Sequence, residues 1–171
     1  MMLYIVRHAQ AVAAEKSGTD AERPLTQRGV AQMHRLGHAL RLAGVSPSAV
    51  ITSPLARAEE SAGILMQELG EMIRLEVSGA LSPGRNGAEA LAAIPQRHVP
   101  SVMIVGHEPQ LSEMVMLLVT GGYGSVMEPA EASVTCLECE GVPASGKCSM
   151  KWHLTPQVVD PLVAKQETYV A

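Results

Sequence analysis

The sequence predicts an α/β fold in three layers, α/β/α, with helices covering both faces of a mostly parallel central sheet and a C-terminal hairpin added to it. Three observations carry that expectation. Short apolar runs alternate with stretches of helical periodicity through the first two thirds of the chain, as strands alternating with crossover helices do. Beyond about residue 130 the alternation gives way to two strand-like runs joined by a Gly/Pro/Ser loop. The length, 171 residues, suits a single domain spanning 1–171. At that size roughly 70% of the unfolded chain's surface can be buried, without a metal or disulfide staple.

The elements follow in order. Residues 3–6, Leu-Tyr-Ile-Val, make a short apolar run suited to a buried strand that ends at Arg7-His8. The polar stretch 15–23 reads as a loop. Thr26 is a good N-cap, and Val30, Met33, Gly37 and Leu40 form a helical stripe that stops near Gly44. Residues 49–52, Ala-Val-Ile-Thr, read as a second strand. Ser53-Pro54 has the form of a cap followed by proline at the first helical position, and Leu55, Ala58, Ala62, Leu65 and Leu69 carry that helix to Gly70. Residues 73–77 alternate as a third strand, 82–87 form a Pro/Gly/Asn loop, and 88–94 a short helix. Residues 102–105 are an apolar strand, and Gly106-His107-Glu108-Pro109 is a sharp turn into a helix with Leu111, Met114, Val115 and Leu118 on one face. Gly121-Gly122-Tyr123-Gly124 stops that helix; it lacks the Lys-Ser/Thr of a phosphate-binding P-loop and follows a helix, not a strand. Residues 133–137 and 150–154 are the hairpin strands.

Composition narrows the function classes. The chain has no Phe, three Tyr and one Trp against ten Met, so its core is aliphatic and Met-rich and it lacks rings for stacking nucleic-acid bases. A net charge of −4 with a pI near 5.8 likewise argues against a nucleic-acid partner, while leaving room for a local basic pocket. The N-terminal apolar run meets Arg7 too soon for a signal peptide, and the longest one, 114–119, falls far short of the ~20 residues that span a bilayer. A cytoplasmic, soluble monomer without a membrane partner is the expectation. Three cysteines, Cys136, Cys139 and Cys148, do not make a secreted disulfide framework and are expected to be reduced. With His153 they superficially resemble a zinc set, but positions three apart on a strand point to opposite faces. His34 and His38 have a spacing that can bind metal, yet lie beside Arg35 and Arg41 on what reads as a solvated helix face.

In open α/β sheets the ligand site lies beyond the carboxyl ends of the strands. Here those ends supply Arg7-His8, the segment 53–57 with Arg57, and Gly106-His107. Arginine is a permanently charged fork of donors suited to phosphate oxygens, and histidine can be a nucleophile. Nearby arginine charge depresses a histidine's pKa and favours the neutral, attacking form. Phosphoryl transfer needs an in-line attacker and stabilisation of the charge spread over the equatorial oxygens. One histidine to attack, with two arginines and a second histidine around the oxygens, meets that need with no metal or other cofactor.

Four motifs in order carry a resemblance: Leu3-Tyr-Ile-Val-Arg7-His8-Ala9, Leu25-Thr26-Gln27-Arg28-Gly29, Ser53-Pro54-Leu55-Ala56-Arg57-Ala58 and Val105-Gly106-His107-Glu108-Pro109. The chain resembles the histidine phosphatase (phosphoglycerate mutase-like) superfamily. Its length, Arg23-Pro24-Leu25-Thr26, Leu81-Ser82-Pro83 and the ending Trp152-His153-Leu154-Thr155-Pro156 look most like the SixA-type phosphohistidine phosphatases. The resemblance implies His8 as phosphoacceptor nucleophile, Arg7, Arg57 and His107 completing the phosphate pocket, and Arg23 at its rim as a substrate-binding residue. It further implies a phosphohistidine-bearing protein, such as a phosphorelay carrier, as substrate, and phosphate or phosphate-mimicking anions as pocket ligands.

Many relatives place a proton-donating carboxylate near the Pro/Gly loop, whereas residues 78–86 here contain none. A sugar-phosphate leaving group needs such an acid; a ring nitrogen protonated at its other nitrogen needs it less, which favours an N–P substrate. Glu22 or Glu108 could supply an acid from elsewhere. The alternatives are a small-molecule phosphomonoesterase of the same fold, a phosphate-binding regulatory module with little turnover, and a zinc-dependent interaction tail.

Overall fold

The computed structural model describes residues 1–70, 73–95, 99–124 and 127–170, the last six of these in backbone only. His98, for which the sequence suggests no partner, lies outside them. Strands β1 (Met2–Arg7), β2 (Ala49–Thr52), β3 (Arg74–Val77) and β4 (Ser101–Gly106) are mutually parallel. The hairpin β5 (Val134–Cys139) and β6 (Cys148–Leu154) is antiparallel, and β5 runs antiparallel to β1. The sheet order among the described residues is β3-β2-β4-β1-β5-β6, so the expected architecture is the observed one.

Alternation along each strand sorts side chains between the two helical layers. Tyr4, Val6, Val50, Met103 and Val105 face α1 (Gln27–Leu42), α2 (Ala56–Leu69) and α5 (Pro156–Val170), where they meet Met33, Leu36, Leu40, Ala62, Leu65 and Val159. Leu3, Ile5, Ile51 and Ile104 face the opposite way, against Leu81 and the stripe Leu111, Met114, Val115 and Leu118 of α4 (Gln110–Thr120). Between them α3 (Gly87–Ala90) closes the same layer through Ala90. Both faces are covered, which is why the central strands read as continuous apolar runs.

The topology creates the site. After β1 the chain crosses by α1 on one face, and after β4 it leaves by α4 on the other, although β1 and β4 are neighbours. Connections leaving adjacent strands for opposite faces open a crevice at their carboxyl ends. Register levels those ends: Arg7 pairs with Gly106, and Thr52 with Val105. His8, Ser53 and His107 therefore emerge side by side.

Three local expectations need correction. The second helix begins at Ala56, with Leu55 as N-cap, so Ser53 does not cap it. Buried Ser53 is instead committed to the site. A helix unmarked in the sequence reading, α5, follows Thr155; Pro161 within it disguises the periodicity, although Thr155-Pro156 carries the cap-then-proline signal. Val159 and Val163 bury against the core, and Arg35 Nε of α1 donates to Asp160 at 2.8 Å. Finally, Cys139 and Cys148 are disulfide-bonded rather than reduced, and Cys136 is the free, buried cysteine. Pairing of β5 with β6 sets residues 139 and 148 directly opposite, a cross-strand meeting that spacing within one strand does not reveal.

Candidate active site

His8 leaves β1 with its amide donating to the Gly106 carbonyl of β4 at 3.1 Å, which continues the sheet one residue further. Its ring is fixed by two hydrogen bonds of opposite sense. Nδ1 lies 2.7 Å from the Ala9 carbonyl, which can only accept, so Nδ1 carries the proton. Arg57 Nε, which can only donate, points at His8 Nε2 from 3.3 Å. The lone pair is therefore on Nε2. Arg57 sits in the first turn of α2, and helical side chains lean towards the N-terminus, which brings it back over the strand ends.

His107 follows β4, with its ring centroid 4.9 Å from that of His8. Its Nε2 shares a 2.8 Å hydrogen bond with Ser53 Oγ from the end of β2. Its Nδ1 is buried and unpartnered among the described residues, as is Arg7 Nε. Buried polar atoms of this kind are met in folded proteins by water or a ligand oxygen. Arg7 Nη1 donates to the Pro129 carbonyl at 2.7 Å. Arg23 Nε donates to the Val12 carbonyl at 2.7 Å, holding the rim arginine towards the site, where its charge acts on His8. The five residues singled out in sequence thus gather at one place.

Burial pushes His8 down to about 4; the Ala9 hydrogen bond opposes that shift, while the charges of Arg57, Arg7 and Arg23 add to it. Burial leads, where the sequence pointed to arginine charge alone. His107 is held lower, at about 3, by burial first and then by His8 and Arg57, with Asp20 acting the other way. Both imidazoles are neutral at pH 7.

Asp20 and Ser61 carry no signal in the sequence, and Ser53 carries that of a helix cap instead. Asp20, in the loop after β1, accepts from Arg23 Nη1 at 2.8 Å and from Arg57 Nη2 at 3.2 Å. Those bonds, the Arg23 one first, hold its carboxyl below the usual carboxylate range. Ser61 Oγ donates to the Arg57 carbonyl at 2.7 Å and accepts from the Ala9 amide at 3.2 Å, tying the His8 turn to α2. Ser53 holds His107, as above. Of the carboxylates considered as acids, Glu22 accepts from Thr19 within its own exposed loop. Burial pushes Glu108 up, and its Oε1 has no partner among the described residues. The Leu25-Thr26-x-x-Gly29 motif braces the loop behind His8. Thr26 caps α1 by accepting from Gly29 N at 3.0 Å, and a Cβ at Gly29 would fall 2.2 Å from the Gln10 carbonyl oxygen.

The metal-like spacings have ordinary partners: His34 Nδ1 meets Glu68 at 2.9 Å, and Arg41 Nη2 lies 2.9 Å from His38 Nδ1. No group of three or more His, Cys, Asp or Glu among the described residues could hold a metal ion. No helix among the described residues is long and apolar enough to cross a membrane.

Comparison with known proteins agrees with this fold. The profile of the histidine phosphatase superfamily (branch 1) matches residues 3–82. Phosphohistidine phosphatase SixA of Escherichia coli strain K12 is 29% identical over 164 residues, 91% of this chain and 94% of its own length. An uncharacterised protein of Picosynechococcus sp. is 31% identical over 141 residues, 78% of this chain and 82% of its own. Among solved structures, the protein histidine phosphatase SixA complexed with tungstate matches at TM-score 0.77 and 24% identity, with 92% of this chain and 98% of that one covered. The alpha-ribazole phosphatase of Shigella flexneri has the same fold at TM-score 0.65 and 17% identity, covering 91% and 97%. Motif order, sheet topology and these relatives agree, and the chain belongs to the histidine phosphatase superfamily.

Proposed function

We propose that the chain is a phosphohistidine phosphatase acting on a histidine-phosphorylated protein. The observation that carries this reading is the fixed tautomer of His8. Its lone pair stands on Nε2 beside the Arg57 guanidinium, and its neutral form prevails down to about pH 4. Nε2 attacks phosphorus, the N–P bond of the substrate breaks, and the departing imidazole keeps the proton on its other nitrogen. Water then attacks phospho-His8, the Nε2–P bond breaks, and orthophosphate leaves. Arg7, Arg57 and His107 hold the equatorial oxygens through both steps, with Arg23 at the rim. The SixA structure holds tungstate, an oxyanion of phosphate-like shape.

Two observations favour nitrogen over oxygen as the leaving atom. The 78–86 segment carries no carboxylate. Asp20, the carboxylate in the arginine network, is held ionised and so is a poor proton donor. That leaves Glu108, pushed up by burial, as the acid an oxygen leaving group would need. Tyr4 packs 6.0 Å from Trp152 in the core, and Tyr123 is exposed after α4. A cationic, ring-poor site grips the phosphoryl group and leaves recognition of its carrier to the surrounding surface. The fold shared with an alpha-ribazole phosphatase favours a second reading, a small-molecule phosphomonoesterase. Hydrolysis rates on a histidine-phosphorylated protein and on a panel of sugar phosphates separate the two. The protein substrate is expected to be preferred by at least ~100-fold in kcat/KM; a faster sugar phosphate overturns the reading. Labelling of His8 in a burst without steady phosphate release would instead identify a regulatory module.

A further inference from the structure

The carboxylate of Asp20 is redundant as a structural support. Arg57 keeps its orientation through Nη1, which donates to the Asp20 main-chain carbonyl at 2.8 Å, and through Nε at His8. Arg23 keeps its own through Nε, anchored on the Val12 carbonyl. The loop itself is docked on α2 by the Ala56 amide, 2.9 Å from the Ala21 carbonyl, and closed by Glu22 N on Thr19 O at 3.2 Å. None of these bonds uses the Asp20 side chain. What the side chain alone adds is a negative charge, placed where donors of two guanidiniums converge.

Convergent arginine donors mark a position where an anion is stable. Asp20 is the exposed end of this network, at 57% side-chain exposure, whereas Arg57 is 7% exposed. We infer that Asp20 is an internal competing anion: its carboxylate takes up Arg23 and Arg57 donors in the unliganded protein, and a phosphoryl group binds only by displacing it. The inference rests on the phosphatase reading above and adds a specificity device to it. Free orthophosphate and small phosphate esters meet this competition unaided, whereas a phosphorylated protein can offset it with contacts outside the pocket. The same carboxylate helps expel the orthophosphate product.

The test is the affinity for inorganic phosphate of the wild-type protein, Asp20→Asn and Asp20→Ala, at low ionic strength where exposed charges are least screened. Asn keeps the side-chain shape and an acceptor for the arginines; Ala removes both. Two like charges about 4 Å apart repel appreciably even in water, so both variants should bind orthophosphate at least ~5-fold more tightly. That advantage should shrink as salt is added. Weaker binding would make Asp20 a support for the arginines, and unchanged binding would give it no part in anion recognition; either result overturns the inference. Labelling of His8 by phosphoryl donors, measured on the same preparations, tells this failure from that of the phosphatase reading. A labelled wild type with no tightening in the variants overturns the competing anion alone; no labelling and no phosphate binding overturn both.

Discussion

The carboxyl ends of β1, β2 and β4 and the β5–β6 hairpin with α5 are ordered in opposite ways. At the strand ends, main-chain carbonyls do the holding: Ala9 for His8, Asp20 for Arg57, Val12 for Arg23 and Pro129 for Arg7. A carbonyl orients a guanidinium without cancelling its charge. The carboxylate that does meet Arg23 and Arg57, Asp20, is the exposed end of the network, so the positive field is open to a phosphoryl dianion that displaces it. In the hairpin and α5, charges are matched by charges, Lys151 with Glu138 at 2.9 Å and Asp160 with Arg35 at 2.8 Å, and the strand ends are closed by the 139–148 disulfide. One region keeps charge in reserve for a ligand. The other pairs its charges with one another at the surface, where each pair adds little to stability but leaves no charge over for a ligand.

That contrast can be broken by comparing substitutions on the two sides. Arg57→Ala removes a donor from both His8 and the proposed phosphoryl oxygens, and should lower kcat/KM by about 10²–10³-fold, the scale of losing one charge-stabilising donor. A thermal melt alongside shows whether the fold persists; a fold-intact variant within tenfold of wild type would remove Arg57 from the site. Next in size is the response to acid. His8 and His107 have folded values of about 4 and about 3, below the ~6.5 of an unfolded chain. Between those values the unfolded state binds more protons, so stability contributed by the two rings is present above pH ~6.5 and drains away as pH falls through 4 and 3. Chemical denaturation at stepped pH should show this loss, and the acid limb of kcat/KM should fall near pH 4. A limb near 6.5 would mean that the rings are hydrated as in free histidine. Smallest for activity is the hairpin. Cys139→Ser with Cys148→Ser should leave turnover within about twofold while costing roughly 2–3 kcal/mol of stability for a loop of this size. A large fall in turnover would show that the two regions are coupled.

The same contrast governs what the sequence reveals. Arg7, His8, Arg57 and His107 stand immediately after apolar runs or one turn into a helix, so a rule about strand ends finds them. The parallel core is legible because its strands are continuous apolar runs and its helices have clean stripes. Asp20 and Ser61 escape because Asp and Ser are ordinary in loops and helices, and their roles come from neighbours 37 and 52 residues away in the chain. Ser53 was misread for a related reason: before a proline it has the form of a cap, while its partner, His107, arrives from 54 residues on. The disulfide depends on hairpin register and α5 hides behind Pro161, so both needed the fold to become visible.

The most direct test concerns the covalent state of His8. Mixing the protein with a protein bearing radiolabelled phosphohistidine, and quenching within the first turnover, should yield an acid-labile, base-stable phosphoryl group on His8 that decays into orthophosphate. His8→Ala should show neither the label nor turnover, with its fold intact. Turnover by His8→Ala at the wild-type rate, or a label on another residue, would contradict the account.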